Sequence, residues 1–157
     1  MKLKKINKKE LRNNIVDFQE SLKSLPEDVV FFNDTDNCPV TNTFADGIHI
    51  RQIEIPKGIV AIGKIHLHEH VSFLLKGKMI ILDEENGRKT IEAPMTIISQ
   101  PGIKRVVYAI EDCVFTNVFA NPSNEKNIEE LEKNNVVNTY KEYDLQLENK
   151  KIIKQKI

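Results

Sequence analysis

Three of the chain's four histidines lie within five residues, in the segment His66-Leu67-His68-Glu69-His70. Successive side chains of a β-strand point to opposite faces, so His66 and His68 would share a face, and His70 would join them if the strand continued. Imidazoles gathered on one face are typical ligands of divalent zinc, iron, nickel, copper or manganese. The cluster therefore predicts a metal site formed by His66, His68 and His70. A run of surface histidines at a strand end is the competing interpretation.

A second candidate group precedes this cluster. His49 and Arg51 have the same parity as Ile53 and Ile55, which suggests that all four face the core. A buried guanidinium needs an acidic partner or an anionic ligand, because an unpaired charge is costly in the interior. Alternatively, a bulge near Gln52 reverses the parity and leaves Arg51 in solvent.

Other catalytic signatures are absent from the sequence. It contains no GxSxG, P-loop or dinucleotide-binding glycine pattern. The adjacent carboxylates Asp83-Glu84-Glu85 precede Asn86-Gly87, and a solvated hairpin turn is the expected setting for them. Cys38 and Cys113 show no CxxC spacing, which favours two reduced thiols over a zinc or disulfide framework.

The elements that would position these residues follow from the order of the chain. Apolar residues at spacings of three and four predict a helix over 8–25, ended by Pro26. About nine short strands then follow with no helix-length connection, which favours a sandwich or barrel. These predicted strands cover 29–32, 47–55, 59–67, 72–75, 79–82, 89–92, 95–99, 105–110 and 113–119. After Pro122 we expect a short acidic helix over 124–135 and a Lys-rich tail that forms a frayed helix.

This organisation predicts an N-terminal helical segment (1–27), a β domain (28–120) and a C-terminal helical extension (121–157). The chain of 157 residues is long enough for one domain with a sizeable core. We expect the first helix to pack across the barrel or against a partner subunit, rather than on a membrane surface.

Charge and hydropathy limit the function classes. The formal net charge is zero, but lysines concentrate at both ends and leave an acidic body. Lysine-rich termini usually keep a protein in solution, so we do not expect nucleic acid as a partner. No segment approaches the roughly 18 apolar residues of a membrane helix, and no apolar run follows the basic N-terminus as in a signal peptide. A cytoplasmic protein is expected.

Two segments resemble the cupin motifs. Three successive stretches look like the first motif: Ile55-Pro56-Lys57-Gly58, Gly63-Lys64-Ile65-His66-Leu67-His68-Glu69-His70 and Phe73-Leu74-Leu75-Lys76-Gly77. Ala93-Pro94 followed by Pro101-Gly102-Ile103-Lys104-Arg105 resembles the second. The resemblance covers roughly 44–120 and implies a single double-stranded β-helix, or jelly roll. More narrowly, the chain is similar to small cupin-like proteins associated with bacteriophages.

The chain departs from the cupin ligand pattern in an informative way. The resemblance implies two histidines from HxH, a glutamate a few residues later and a histidine from the second motif. The glutamate position falls near His70, and the second-motif histidine position falls on Arg105, which cannot ligate a metal. The last core strand offers Asn117 but no histidine. Three imidazoles with water in the open positions would still be a reasonable metal site. Equally, Arg105, and Arg51 if it faces inward, would make with His49 and Asn117 a cationic pocket for a carboxylate or phosphate.

Three functions therefore compete. The first is a cupin that binds a metal ion, a small anionic ligand, or both, in the barrel mouth. The second is a metal-dependent cupin enzyme, in which zinc, iron, nickel or manganese at the histidines acts as Lewis acid or activates oxygen. The third is a structural or assembly module, which the phage resemblance would suit. A homodimer or larger homo-oligomer is compatible with all three.

Overall fold

The computed structural model describes residues 7–26 and 37–154. The predicted strand over 29–32 lies outside the described residues. Helix α1 runs over Lys8–Lys23, and its N-cap Asn7 accepts a hydrogen bond from the Glu10 amide at 2.8 Å. The helix predicted over 8–25 is therefore confirmed, with Leu11 and Ile15 as its buried face.

Eleven strands follow among the described residues, and most of them form two antiparallel sheets. The larger sheet has the strand order β1-β2-β10-β5-β8. Its strands are β1 Val40–Ala45, β2 Ile48–Ile55, β5 His70–Lys76, β8 Met95–Ser99 and β10 Cys113–Ala120. Strand β1, which the sequence reading missed, forms its outer edge beside β2.

The smaller sheet has the order β3-β9-β6-β7. Its strands are β3 Val60–Ile62, β6 Lys78–Asp83, β7 Gly87–Glu92 and β9 Val106–Ala109. A short ribbon joins β4 Ile65–His66 to β11 Val136–Val137. The segment predicted as one strand over 59–67 is thus divided between two sheets.

The core lies between the two sheets. The larger sheet contributes Ile55, Leu74, Phe115 and Cys113, while the smaller contributes residues such as Met79 and Val107. Residues from both sheets in one buried cluster give the sandwich-like arrangement of a mainly β domain. The mainly β class predicted from the strand spacing is confirmed.

The chain passes from the larger sheet to the smaller one at Gly77, between β5 and β6. Gly77 has a φ of +84°, and a Cβ atom there would lie 2.4 Å from the Asp112 carbonyl oxygen. Only glycine fits this left-handed position so close to another backbone segment. The tight crossing fixes the end of β5, the strand that starts at His70.

Three helices flank the sheets within the described residues. Helix α2 covers Ile128–Asn135 and α3 covers Tyr140–Lys154, where the sequence predicted a short helix over 124–135 and a frayed tail. Within the described part of the chain, no helix has the length and apolar character needed to cross a membrane.

The carboxylates after β6 differ from the prediction. Asp83 and Glu84 were expected in a solvated turn, but both are buried. Asp83 accepts hydrogen bonds from the Glu85 and Asn86 amides, and Glu84 lies 3.7 Å from Arg12 of α1. The prediction was wrong because this turn lies beneath α1, whose arginine and buried apolar face cover it.

Candidate functional site

A cavity of about 650 Å³ lies between the sheets, and the end of α1 and helix α2 contribute to its wall. Its apolar lining includes Ile53, Ile55, Val107 and Phe115. This volume is within the range of small-molecule sites, which are mostly apolar with a few placed polar groups. The larger sheet supplies those polar groups in two neighbouring rows of residues.

The first row consists of polar side chains that lie directly opposite one another on four adjacent strands. Asn42 pairs with Arg51, Arg51 with Asn117, and Asn117 with Ser72. Directly opposed residues share a face of the sheet, and Asn42, Arg51 and Asn117 all line the cavity. The pairing is regular through Gln52, so no bulge reverses the parity, and Arg51 lies on the cavity side.

The second row is aromatic. His49 pairs with Phe44 on β1 and with Phe119 on β10, and its ring stacks on Phe44 at a centroid distance of 5.0 Å. Phe119 also contacts the His70 ring at 4.8 Å. The His49 Nε2 atom lies 2.8 Å from the Asn42 Oδ1 atom, which links the aromatic row to the polar row.

Two histidines of the predicted cluster come together here. The rings of His66 and His70 are 4.3 Å apart between centroids, and His66 stacks on Phe119 at 5.1 Å with planes 19° apart. His68 is exposed. Strand β4 ends at His66 and β5 begins at His70, so the alternation that would have aligned three imidazoles is interrupted between them.

The predicted metal site at His66, His68 and His70 does not fit this geometry. Within the described part of the chain, no three His, Cys, Asp or Glu side chains form a group that could hold a metal ion. A protein zinc site needs at least three protein ligands, and here two imidazoles meet an aromatic ring instead. We therefore assign no step to a metal.

Arg105 lies in the loop before β9 and lines the cavity. Residues outside the cavity lining hold its guanidinium in place. Its Nε and Nη2 atoms both lie 3.5 Å from the Asp83 carboxylate, and its Nη1 donates to Ser99 Oγ at 3.1 Å. Ser99 Oγ lies 3.0 Å from Ser72 Oγ, which donates to Asn117 Oδ1 at 2.7 Å. A continuous polar network thus connects Asp83 to Asn117 at the cavity wall.

Burial and nearby arginines lower the pKa values of three histidines at the site. Burial, with smaller contributions in the same direction from His70, Arg51 and Arg105, lowers the pKa of His66 to about 3. Burial also lowers the pKa of His49, with Arg51 adding to the effect. The pKa of His70 falls through burial and Arg105, against a hydrogen bond to the His68 carbonyl that raises it. All three imidazoles are therefore neutral near pH 7, while both arginines are charged.

Comparison with known proteins identifies the fold. No protein-family model matches the sequence, and no curated protein matches it. Among solved structures, an RmlC-like cupin from Shewanella frigidimarina is 14% identical and superposes with a TM-score of 0.50 over 68% of this chain and 93% of that chain. The chain has the cupin fold. KdgF from Halomonas sp. is 8% identical, with a TM-score of 0.50 over 67% of this chain and 96% of that chain. At such identities the likeness shows the fold alone.

Several residues of the site were not predicted from the sequence. Ser72 shares parity with His70 and Leu74 on β5, so strand alternation could have placed it on the inner face. Ser99 and Asp83 gave no comparable signal, because their roles depend on contacts with Arg105, which is distant from Asp83 in the sequence. Phe119 was also missed, although it shares the parity of Asn117 on β10.

Proposed function

We propose that this cupin-fold chain binds a small organic anion, with its acidic group at the Arg51–Asn117 row and its apolar body against the cavity wall. The observation that carries the proposal is the composition of the cavity. Arg51, Arg105 and neutral imidazoles line it, and Glu132 is the one carboxylate among the described lining residues. Glu132 is itself paired with Lys64 at 2.8 Å.

The arrangement supports a carboxylate, phosphate or similar group. A guanidinium presents several donors in a fixed plane, which suits such groups better than a point charge does. Asn117 lies beside Arg51 on the neighbouring strand and is oriented by Ser72, so its amide adds a directed polar contact. Preorganised donors bind with less loss of side-chain entropy.

The apolar wall sets the second requirement. Ile53, Val107 and Phe115 surround much of the remaining volume, and their burial by a ligand is favourable at about 25 cal/mol per Å². An inorganic anion would leave this volume unfilled. An organic anion that carries an aliphatic or aromatic body satisfies both parts of the cavity.

The low pKa of His66 favours a role in ligand binding over a role in proton transfer. A general base works best when its pKa lies near the operating pH, and a pKa of about 3 makes His66 a weak proton acceptor. Its neutral ring suits stacking and hydrogen bonding. The names of the two structural neighbours described above do not mention phages, so a phage-related assembly role stays a prediction. Catalytic turnover and a cytoplasmic location also stay predictions.

Paired fluorescent probes test the proposal. 8-Anilino-1-naphthalenesulfonate carries a sulfonate on the ring system of the neutral N-phenyl-1-naphthylamine. We expect the sulfonate probe to bind at one molecule per chain and at least about tenfold more tightly, which corresponds to about 1.4 kcal/mol. Equal dissociation constants for the two probes would show attraction to apolar surface alone and would overturn the proposal.

A further inference from the structure

A second pocket of about 330 Å³ adjoins the cavity described above. Four residues line both spaces: His66, Phe119, Leu131 and Asn135. The rest of its wall comes from the loop between β10 and α2, from the segment between β4 and β5, and from the end of α2. Its volume is at the lower end of the range of small-molecule sites. It is called the second pocket below.

The second pocket differs from the cavity in charge. Glu69 and Glu125 line it, and its described lining residues include no Lys or Arg, whereas Arg51 and Arg105 line the cavity. Glu132, the one carboxylate among the described residues of the cavity, is paired with a lysine. Within the described part of the chain, neither Glu69 nor Glu125 forms an ion pair. The second pocket therefore has two carboxylates without a protein counter-charge.

Each of these carboxylates is oriented by the protein through one oxygen. Glu125 Oε1 accepts hydrogen bonds from the Lys126 amide at 2.8 Å and the Asn127 amide at 2.7 Å. Glu69 Oε2 accepts a hydrogen bond from Gln100 Nε2 at 2.7 Å. Among the described residues, the second oxygen of each carboxylate has no hydrogen-bond partner. Groups oriented in this way bind a ligand with less loss of side-chain entropy.

His66 independently indicates a ligand at this place. Its ring packs on Phe119 at a centroid distance of 5.1 Å, and burial keeps the ring neutral near pH 7 by lowering its pKa to about 3. A neutral imidazole has one donor and one acceptor nitrogen. Among the described residues, neither nitrogen has a hydrogen-bond partner. Because polar groups withdrawn from water are normally paired, His66 can offer an acceptor nitrogen to a bound molecule.

The arrangement of these groups favours an organic cation over a metal ion. Nowhere in the described ranges do three His, Cys, Asp or Glu side chains come close enough together to hold one metal ion. The acceptors of the second pocket are instead distributed around a space large enough for several heavy atoms. Phe119 and the buried Leu131 supply apolar surface there, and an aromatic face also attracts cations.

We propose that the second pocket binds a small organic cation, namely an ammonium group on a short apolar body. The ammonium donates to Glu69, Glu125 and His66, and the apolar body packs against Phe119 and Leu131. A primary ammonium has three N–H donors, which matches these three acceptors in number. The site is chemically opposite to the anion site of the cavity, and it does not depend on the function proposed above.

Nuclear magnetic resonance titration of the full-length, ¹⁵N-labelled chain with benzylammonium chloride tests the proposal. The Lys126 and Asn127 amides donate to Glu125 and therefore report on the site directly. We expect their resonances to shift and to saturate as the cation is added. Benzyl alcohol has the same ring without the charge and should bind at least about tenfold more weakly, because hydrogen bonds between charged groups are the stronger ones.

Isosteric variants show which groups hold the cation. Glu69→Gln and Glu125→Gln remove the charge but keep an acceptor oxygen, so the fold should survive, and each should raise the dissociation constant by at least about threefold. Glu129→Gln is the control, because Glu129 is exposed on α2 and is not among the lining residues. It should bind as the wild type does.

Three results would overturn the proposal. The first is equal affinity for benzylammonium and benzyl alcohol. The second is wild-type affinity for benzylammonium in both folded variants, Glu69→Gln and Glu125→Gln. The third is a set of shifts confined to cavity residues such as Ile53 and Val107, since these line the cavity and not the second pocket.

Discussion

The guanidinium of Arg105 and the carboxylate of Asp83 lie 3.5 Å apart, with Asp83 fully buried. The sequence placed Arg105 at a position where cupins hold a metal-ligating histidine, and it placed Asp83 in a solvated turn. Their contact explains why an arginine can occupy that position and why Asp83 is buried. Arg105 lines the cavity as a fixed cation whose buried counter-charge lies behind it, and the same carboxylate closes the turn after β6.

This pair makes Asp83 important for stability. Asp83→Asn keeps an acceptor oxygen for the turn but leaves the Arg105 charge partly buried without its partner. We expect the free energy of unfolding in urea to fall by about 3 kcal/mol, as for other broken buried pairs. Asp112→Asn is the control, since Asp112 is exposed and accepts a hydrogen bond from the Lys57 amide. Equal losses in the two variants would contradict a special role for the pair.

His66 should make stability depend on pH. Its pKa is about 3 in the folded chain, against 6.5 for an unperturbed histidine. Below pH 6.5, His66 therefore binds a proton in the unfolded chain but not in the folded chain. The free energy of unfolding should decrease as the pH is lowered from about 6.5 to about 3. One such group contributes up to about 1.4 kcal/mol per pH unit.

Two variants isolate this contribution. His66→Gln should show a shallower decline in unfolding free energy between pH 6.5 and 5 than the wild type, with His49 and His70 unchanged in both. His68→Gln should retain the wild-type slope, because His68 is exposed. Identical slopes for all three proteins in urea titrations would argue against a buried neutral His66.

Metal loading gives a third test. Two contacting imidazoles without a third ligand make a poor site, so we expect protein purified without a His tag to retain less than about one tenth of an equivalent of zinc, iron, nickel or manganese after loading and desalting. Elemental analysis provides the measurement. A full equivalent of metal that is lost in the His66→Ala/His68→Ala variant would restore the three-histidine site.

Strand parity was the most informative signal in the sequence. It correctly aligned His49 and Arg51 with Ile53, because β2 is regular over its whole length between two partner strands. It failed for His66, His68 and His70, because the chain leaves one strand and enters another within those five residues. Local periodicity carries no information about such a break.

Long-range contacts explain the remaining differences. Burial of Asp83 and Glu84 depends on Arg105 and Arg12, which lie more than 20 and 70 residues away in the chain. Strand β1 is an edge strand of mixed polarity, so its existence depends on pairing with β2 rather than on its own pattern. Both features require the three-dimensional fold.

The binding constant of the sulfonate probe for an arginine variant tests the central claim most directly. Arg51→Gln removes the cationic side chain of the polar row that lines the cavity, whereas Arg88→Gln removes an exposed arginine on β7 and serves as the control. Fluorescence titration should show binding of 8-anilino-1-naphthalenesulfonate at least about tenfold weaker in Arg51→Gln and unchanged in Arg88→Gln. Binding of N-phenyl-1-naphthylamine should be the same in all three proteins. Wild-type affinity for the sulfonate probe in a folded Arg51→Gln variant would contradict the account.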